Sequence, residues 1–206
     1  HLAGWSIGGV IAWEMAQQLG EAGEEMGLLT LLDSLAPGAG GGEELDEPLL
    51  LFGLARDLSG LAGCEPVVSL ERLRELGPEA GLQEVLDQAR RAGALPAGFA
   101  DGSATRLWRV YRANVRAVRA YEPRPYGGRL ALLATRGNPL LAALGPALGW
   151  QRLAGAPTEP GIFESDHYSL LRPPVVEEVA EAVRERLGEG EAARPGERAV
   201  SISPLA

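Results

Sequence analysis

Apolar and polar positions divide this chain into short unbroken apolar runs and longer stretches with helical spacing. The run Leu2-Ala-Gly-Trp5 is apolar throughout. The segment after it, Val10-Ile-Ala-Trp-Glu-Met-Ala-Gln-Gln-Leu19, carries an apolar face at three- and four-residue spacing. The pattern predicts a strand followed by a helix that stops at Gly20 and Gly23. Met26 to Leu32, Arg129 to Thr135 and Thr158 to Phe163 read as buried parallel strands, and Pro174 to Leu187 as a helix. Residues 38–47 are rich in glycine and acid and read as a loop, and residues 48–120 carry no strand signal. Helical stretches are expected at Glu47–Leu58, Ser69–Leu76, Leu82–Ala92 and Ala104–Ala120, with breakers at Gly60, Gly63, Pro66, Pro78 and Pro96. Trp108 and Tyr111 share one helical face and read as core. Residues 189–206 mix Gly, Glu, Ala and Arg without periodicity and are expected to be a disordered tail. Strands alternating with helices predict the α/β class, with a mostly parallel sheet and a helical insertion over residues 38–120.

The joint between the first strand and helix holds Gly4-Trp5-Ser6-Ile7-Gly8-Gly9. A Gly-x-Ser-x-Gly run is weak evidence in a chain with 28 glycines among 206 residues. At a strand-to-helix turn it reads as a nucleophile elbow, which exposes the serine hydroxyl on a strained backbone. Gly4 and Gly8 are expected to let strand and helix approach closely, with Gly9 adding room. The N–H of Ile7, at the helix N-terminus, is placed to stabilise an oxyanion. A serine nucleophile needs a base, and the chain holds two histidines. His1 precedes the first strand residue and reads as part of that strand. His167 lies in the loop Phe163-Glu-Ser-Asp-His167-Tyr-Ser-Leu-Leu-Arg-Pro-Pro174, after a strand and before a helix, where α/β sheets place their sites. The acid that would orient it is Asp33, at the C-terminal tip of an apolar strand. The loop after the next strand, Arg136-Gly-Asn-Pro139, offers only Asn138, which cannot carry the charge. Asp33 could also cap the turn at Ser34 to Pro37. Asp166 is a weaker candidate for the acid, because adjacent residues on a loop rarely face one another.

Composition narrows the picture further. The net charge is −9 and every basic side chain is arginine, which argues against a nucleic-acid surface. The apolar runs are shorter than a membrane span and no signal peptide is visible, so a cytoplasmic location is expected. One cysteine, Cys64, rules out an internal disulfide and is expected in the core. Two distant histidines leave no spacing for a catalytic metal, and no bound cofactor is expected.

These segments together resemble the chain-terminating thioesterase domains of nonribosomal peptide synthetases and polyketide synthases, of the α/β-hydrolase superfamily. Gly4-Trp5-Ser6-Ile7-Gly8-Gly9 is similar to their elbow. Leu32-Asp33-Ser34 with Pro37 is similar to their acid, and Asp166-His167-Tyr168 with Leu170, Leu171 and Pro173 to their histidine loop. Arg106 to Asn114 and Tyr121 to Tyr126 resemble the segment returning from their lid. The resemblance implies release of an acyl or peptidyl chain from the phosphopantetheine arm of a carrier domain, upstream in the same polypeptide, by hydrolysis or cyclisation. It implies Ser6 as nucleophile, His167 as base and Asp33 as its partner, with the insertion as a lid over the site. In that fold several strands precede the elbow, and one of their loops supplies a second oxyanion N–H. Those strands are not in this sequence, so residues 1–188 are expected to be a partial domain, N-terminally truncated. Another serine esterase of the same fold, or a non-catalytic fragment that docks a carrier, are the competing expectations.

Overall fold

The computed structural model describes residues 1–39, 46–96, 98, 99 and 101–192. Its strands are β1 (Leu2–Trp5), β2 (Leu29–Leu32), β3 (Leu130–Thr135) and β4 (Gly161–Phe163). They lie side by side in chain order as one parallel sheet. Register pairs Trp5 with Leu32, and Leu32 with Leu133. The residues that follow these strands therefore emerge along the same sheet edge. Alternate side chains face opposite layers. Leu29, Leu31 and Leu132 pack with Val10, Trp13 and Trp150 on one face, while Leu133 and Phe163 pack with Leu170 and Val179 on the other. Helix α1 (Ile7–Glu21) covers the first face and α6 (Val175–Ala192) the second.

The long β2–β3 connection carries α2 (Glu47–Ala62), α3 (Leu70–Arg91) and α4 (Asp101–Ala120). Local signals set their ends. Asp46 accepts from the Leu49 N–H and Pro48 sits in the first turn, while Gly63 closes α2 in the left-handed region. Ser69 caps α3 through the Arg72 N–H. Inside α3, Gly77 is non-helical at φ 74°, so Pro78 opens a second helical segment. The span thus holds two helical segments that meet at Gly77 and Pro78, as the breaker at Pro78 predicts. These helices build their own core from Leu50, Leu51, Leu54, Leu58, Leu73, Val85, Leu86 and Trp108, with Tyr111 packed against it.

Four details depart from the sequence pattern. Gly60 does not break α2; it lies inside the helix because the Tyr168 ring leaves no room for a Cβ there. Cys64 is exposed rather than buried, since it follows the helix end, with its thiol directed to the Ser59 carbonyl oxygen. A short helix α5 (Leu141–Leu144) and a 3₁₀ turn at Trp150–Arg152 lie between β3 and β4, where the sequence pattern marks no element. Four residues are too few to show a period. Helix α6 continues to Ala192, past the expected end of the domain at residue 188. The expected tail from residue 193 onward lies outside the described residues, as does most of the expected loop, residues 40–45. No described helix is long and apolar enough to cross a membrane.

Close approach of β1 to α1 occurs at Gly4, where a Cβ would overlap the Gly8 carbonyl oxygen. It does not extend to the Gly8 side chain, whose Cβ direction is open. The expectation that both must be small therefore holds for Gly4 and fails for Gly8. Gly9, also expected to give room, is the second tight position, against the Ser34 hydroxyl. Gly4→Ala should destabilise the chain by on the order of 3 kcal/mol. Gly8→Ala should stabilise it by about 0.5 kcal/mol through helix propensity. Thermal melting of the two variants checks both signs.

Candidate active site

Ser6 sits between β1 and α1 with φ 56° and ψ −127°, a conformation that L-residues avoid. Its N–H bonds the Leu32 carbonyl oxygen at 3.0 Å, which extends the β1–β2 ladder and holds the turn. The side chain does not cap the helix it precedes, so its hydroxyl is not committed there. Ile7 is the first helical residue, and its N–H belongs to the set that a helix leaves without an internal acceptor. That donor, at the positive end of α1, can serve an anion beside Ser6.

Asp33 follows β2 at a second positive φ, 44°, and is 3% exposed. Four donors meet its carboxylate. Oδ1 accepts from the Thr135 N–H at 3.0 Å and the Asn138 amide at 3.1 Å. Oδ2 accepts from the Thr135 hydroxyl at 3.0 Å and lies 2.7 Å from His167 Nδ1. Burial pushes this carboxyl up, but the hydrogen bonds from His167, Thr135 and Asn138, together with charge on His167, hold it below the usual carboxylate range. An ionised carboxylate only accepts, so His167 Nδ1 carries a hydrogen, and in the neutral ring Nε2 then keeps its lone pair. The imidazole side chain is 26% exposed.

The loop bearing His167 is fixed from several sides. Leu170 is fully buried against Leu133 and Val179. Asp166 does not face His167. Its carboxylate accepts from the N–H groups of Tyr168 and Ser169 at 2.8 and 3.0 Å and from the Ser169 hydroxyl at 2.6 Å. It caps the turn that presents the histidine, as an Asx turn does. Trp5 stacks on the imidazole, with ring centroids 4.8 Å apart, and donates its indole N–H to the His167 carbonyl oxygen at 3.1 Å. Through Trp5, the residue before Ser6 is joined to His167.

The structure thus brings Asp33 and His167 into direct contact and sets Ser6 one strand away from Asp33 at the same sheet edge. His1 lies outside this group, its ring against Gly27. Three contributors escape a reading of the sequence: Thr135, Asn138 and the stacked ring of Trp5. A polar residue ending the apolar run Leu130–Thr135 was the available signal for the first. Nothing in residue order marks Asn138 as a donor to a carboxylate 105 positions away. Among the described residues no three His, Cys, Asp or Glu side chains gather as metal ligands.

A carboxyl held down in the folded state stabilises the protein fully above its unfolded value, about pH 4, and loses that contribution as pH falls further. Asp57 has the opposite sign, because burial pushes its carboxyl up. The Asp33 contribution is therefore isolated by difference. The gap in unfolding free energy between wild type and Asp33→Asn should be constant near neutral pH and shrink below about pH 4. Denaturant titrations across that range check it.

The thioesterase domain family matches residues 1–187. The non-reducing polyketide synthase crz7 of Cladonia metacorallifera is 30% identical over 197 residues, covering 91% of this chain and 9% of the synthase. Chondramide synthase cmdD of Chondromyces crocatus is 28% identical over 195 residues, covering 92% of this chain and 5% of that protein. The chain thus spans less than a tenth of the length of either synthase. Among solved structures, holo-AB3403, a four-domain nonribosomal peptide synthetase bound to AMP and glycine, matches with a TM-score of 0.80 at 30% identity, over 89% of this chain and 14% of that one. The Vlm2 thioesterase domain, bound with a dodecadepsipeptide, matches with a TM-score of 0.60 at 24% identity, over 89% and 67% of the two chains, and bears on the fold alone. The parallel sheet with its covering helices is that of the α/β hydrolases, and the chain belongs to the thioesterase domain family.

Proposed function

We propose that this chain releases an acyl or peptidyl group from a carrier-bound thioester through an acyl-serine on Ser6. The observation that carries the reading is the contact between His167 Nδ1 and a buried, ionised Asp33, which leaves Nε2 as a base at the sheet edge where Ser6 emerges. His167 Nε2 takes the Ser6 proton as Oγ attacks the thioester carbonyl carbon. The Ile7 N–H stabilises the oxyanion that forms. Asp33 balances the charge on the imidazolium and keeps its orientation. The carbon–sulfur bond breaks, and the departing thiol takes the proton back from His167. A water, or a nucleophile within the released chain, then gives its proton to His167 and attacks the acyl-serine. Hydrolysis or cyclisation results, and Ser6 recovers its hydrogen.

The phosphopantetheine arm belongs to the substrate, so the protein needs no cofactor of its own. An acyl or peptidyl carrier domain is the partner, and the homologous synthases, which are many times longer than this chain, support a carrier in the same polypeptide. A cytoplasmic location belongs to the same reading. The helices between β2 and β3 form the lid, and their packing beside His167 supports that role.

A fluorophosphonate probe, read by intact mass, should label the chain once. Ser6→Ala should abolish labelling, and persistent labelling would remove Ser6 from its role. Asp33→Asn should slow labelling by about three orders of magnitude, through loss of tautomer control. A near-normal rate would point to another acid. Faster turnover of an acyl thioester than of its oxygen-ester twin would separate a thioesterase from a general esterase. Binding of a carrier domain without labelling or turnover would favour a docking fragment.

A further inference from the structure

Tyr168, beside His167, reaches away from the sheet into the helical cover. Its ring stands edge-on to the imidazole, with centroids 5.0 Å apart and planes at 87°, and edge-on to Trp5 at 6.3 Å. The imidazole is therefore bounded by a stacked indole and a perpendicular phenol. The hydroxyl of Tyr168 donates to Asp57 Oδ1 of α2 at 2.6 Å. Its ring fills the space in front of Gly60, one turn further along α2, where any side chain would overlap it. Arg172 donates to the Leu61 carbonyl oxygen at 2.5 Å, so the last two turns of α2 are fastened to the histidine loop at three points.

An aspartate is a costly choice for this place. Its charged form is disfavoured by burial, and the Tyr168 hydroxyl, with the charges of His167 and Arg56, offsets only part of that. Burial and the charge of Asp57 together push the Tyr111 hydroxyl of α4 up. Among the described residues Asp57 receives its one hydrogen bond from Tyr168. An apolar pair would pack α2 on the loop at lower cost, but it would not fix where the tip of the Tyr168 ring sits against α2. A short hydrogen bond to a carboxylate pins the para end of the ring to α2, and that ring bounds His167.

We infer that Asp57 and Tyr168 form a latch by which the seated cover holds His167 in its working orientation, which makes Tyr168 a positioning residue for the base. When α2 moves off, the hydroxyl loses its acceptor, the ring is freed and one wall of the imidazole site is lost. Catalytic readiness and cover position become one variable. This rests on His167 acting as the base for Ser6.

The test uses fluorophosphonate labelling of the full chain over a range of pH. Tyr168→Phe keeps the ring against His167 and Gly60 while removing the hydroxyl, and Asp57→Asn keeps an acceptor without the charge. Each should slow labelling about tenfold and move its pH midpoint. The double variant should be no slower than either single one. A wild-type rate and midpoint in Tyr168→Phe, or losses that multiply in the double variant, would overturn the latch. If the wild-type chain itself is not labelled, the role given to Ser6 fails, and hydrogen exchange decides the latch separately. Faster exchange at residues 166–171 as well as in α2 on Asp57→Asn supports it, and a change confined to α2 refutes it.

Discussion

Keeping a carboxylate ionised while burying it is the constraint around which this structure is arranged. Asp33 has almost no contact with water, yet its hydrogen bonds hold its charge. An ion in that position is tolerated only when donors replace the lost water. Those donors come from three places far apart in sequence: the end of β3, the turn after it and the loop after β4. The C-terminal ends of neighbouring strands must therefore be in register to within a hydrogen-bond length. The parallel ladder from β1 to β4 supplies that register. Site and sheet are the same problem: a one-residue slip would leave Asp33 charged and unpaired.

The helical insertion solves a different problem by different means. Most of its apolar residues pack among themselves, in a cluster separate from the two that sandwich the sheet, although Val118 of α4 packs against the sheet cluster. An element with its own core can stay folded while it shifts against the rest, provided the joint is weak or polar. Near the site the joint is polar: the Tyr168 hydroxyl on Asp57 and the Arg172 guanidinium on the end of α2. Hydrogen bonds of this kind break and reform without exposing a large apolar surface. That would suit the proposed lid, which has to admit a tethered chain and then exclude water.

Much of this was legible in residue order because it is local. The elbow shows as small residues around a serine between an apolar run and a helical period. The ends of α2 and α3 show as Asp46, Gly63 and Ser69, since caps act within one turn. The kink at Gly77 and Pro78 shows for the same reason. Readings failed where a glycine or cysteine was judged by type alone. Gly60 resembles a helix breaker, yet it is a space left for a ring 108 positions later. Gly8 resembles a tight contact, yet the tight contacts are at Gly4 and Gly9. Cys64 resembles a core residue, yet it falls just past a helix end, where the chain faces solvent.

The sequence by itself determined the class of the fold and narrowed the candidate chemistry, because periodicity and the scarcity of histidine are properties of the chain alone. It singled out Ser6, Asp33 and His167 by residue type and by position at strand ends. Only the tertiary structure decided which atoms meet: that Asn138 and Thr135 hold Asp33, that Trp5 stacks on the imidazole, and that Asp166 turns away to cap its own loop. The physical reason is range. Propensity, capping and patterning act over a few residues, whereas burial of a charge and stacking of rings depend on groups more than a hundred positions apart, brought together only once the sheet has formed.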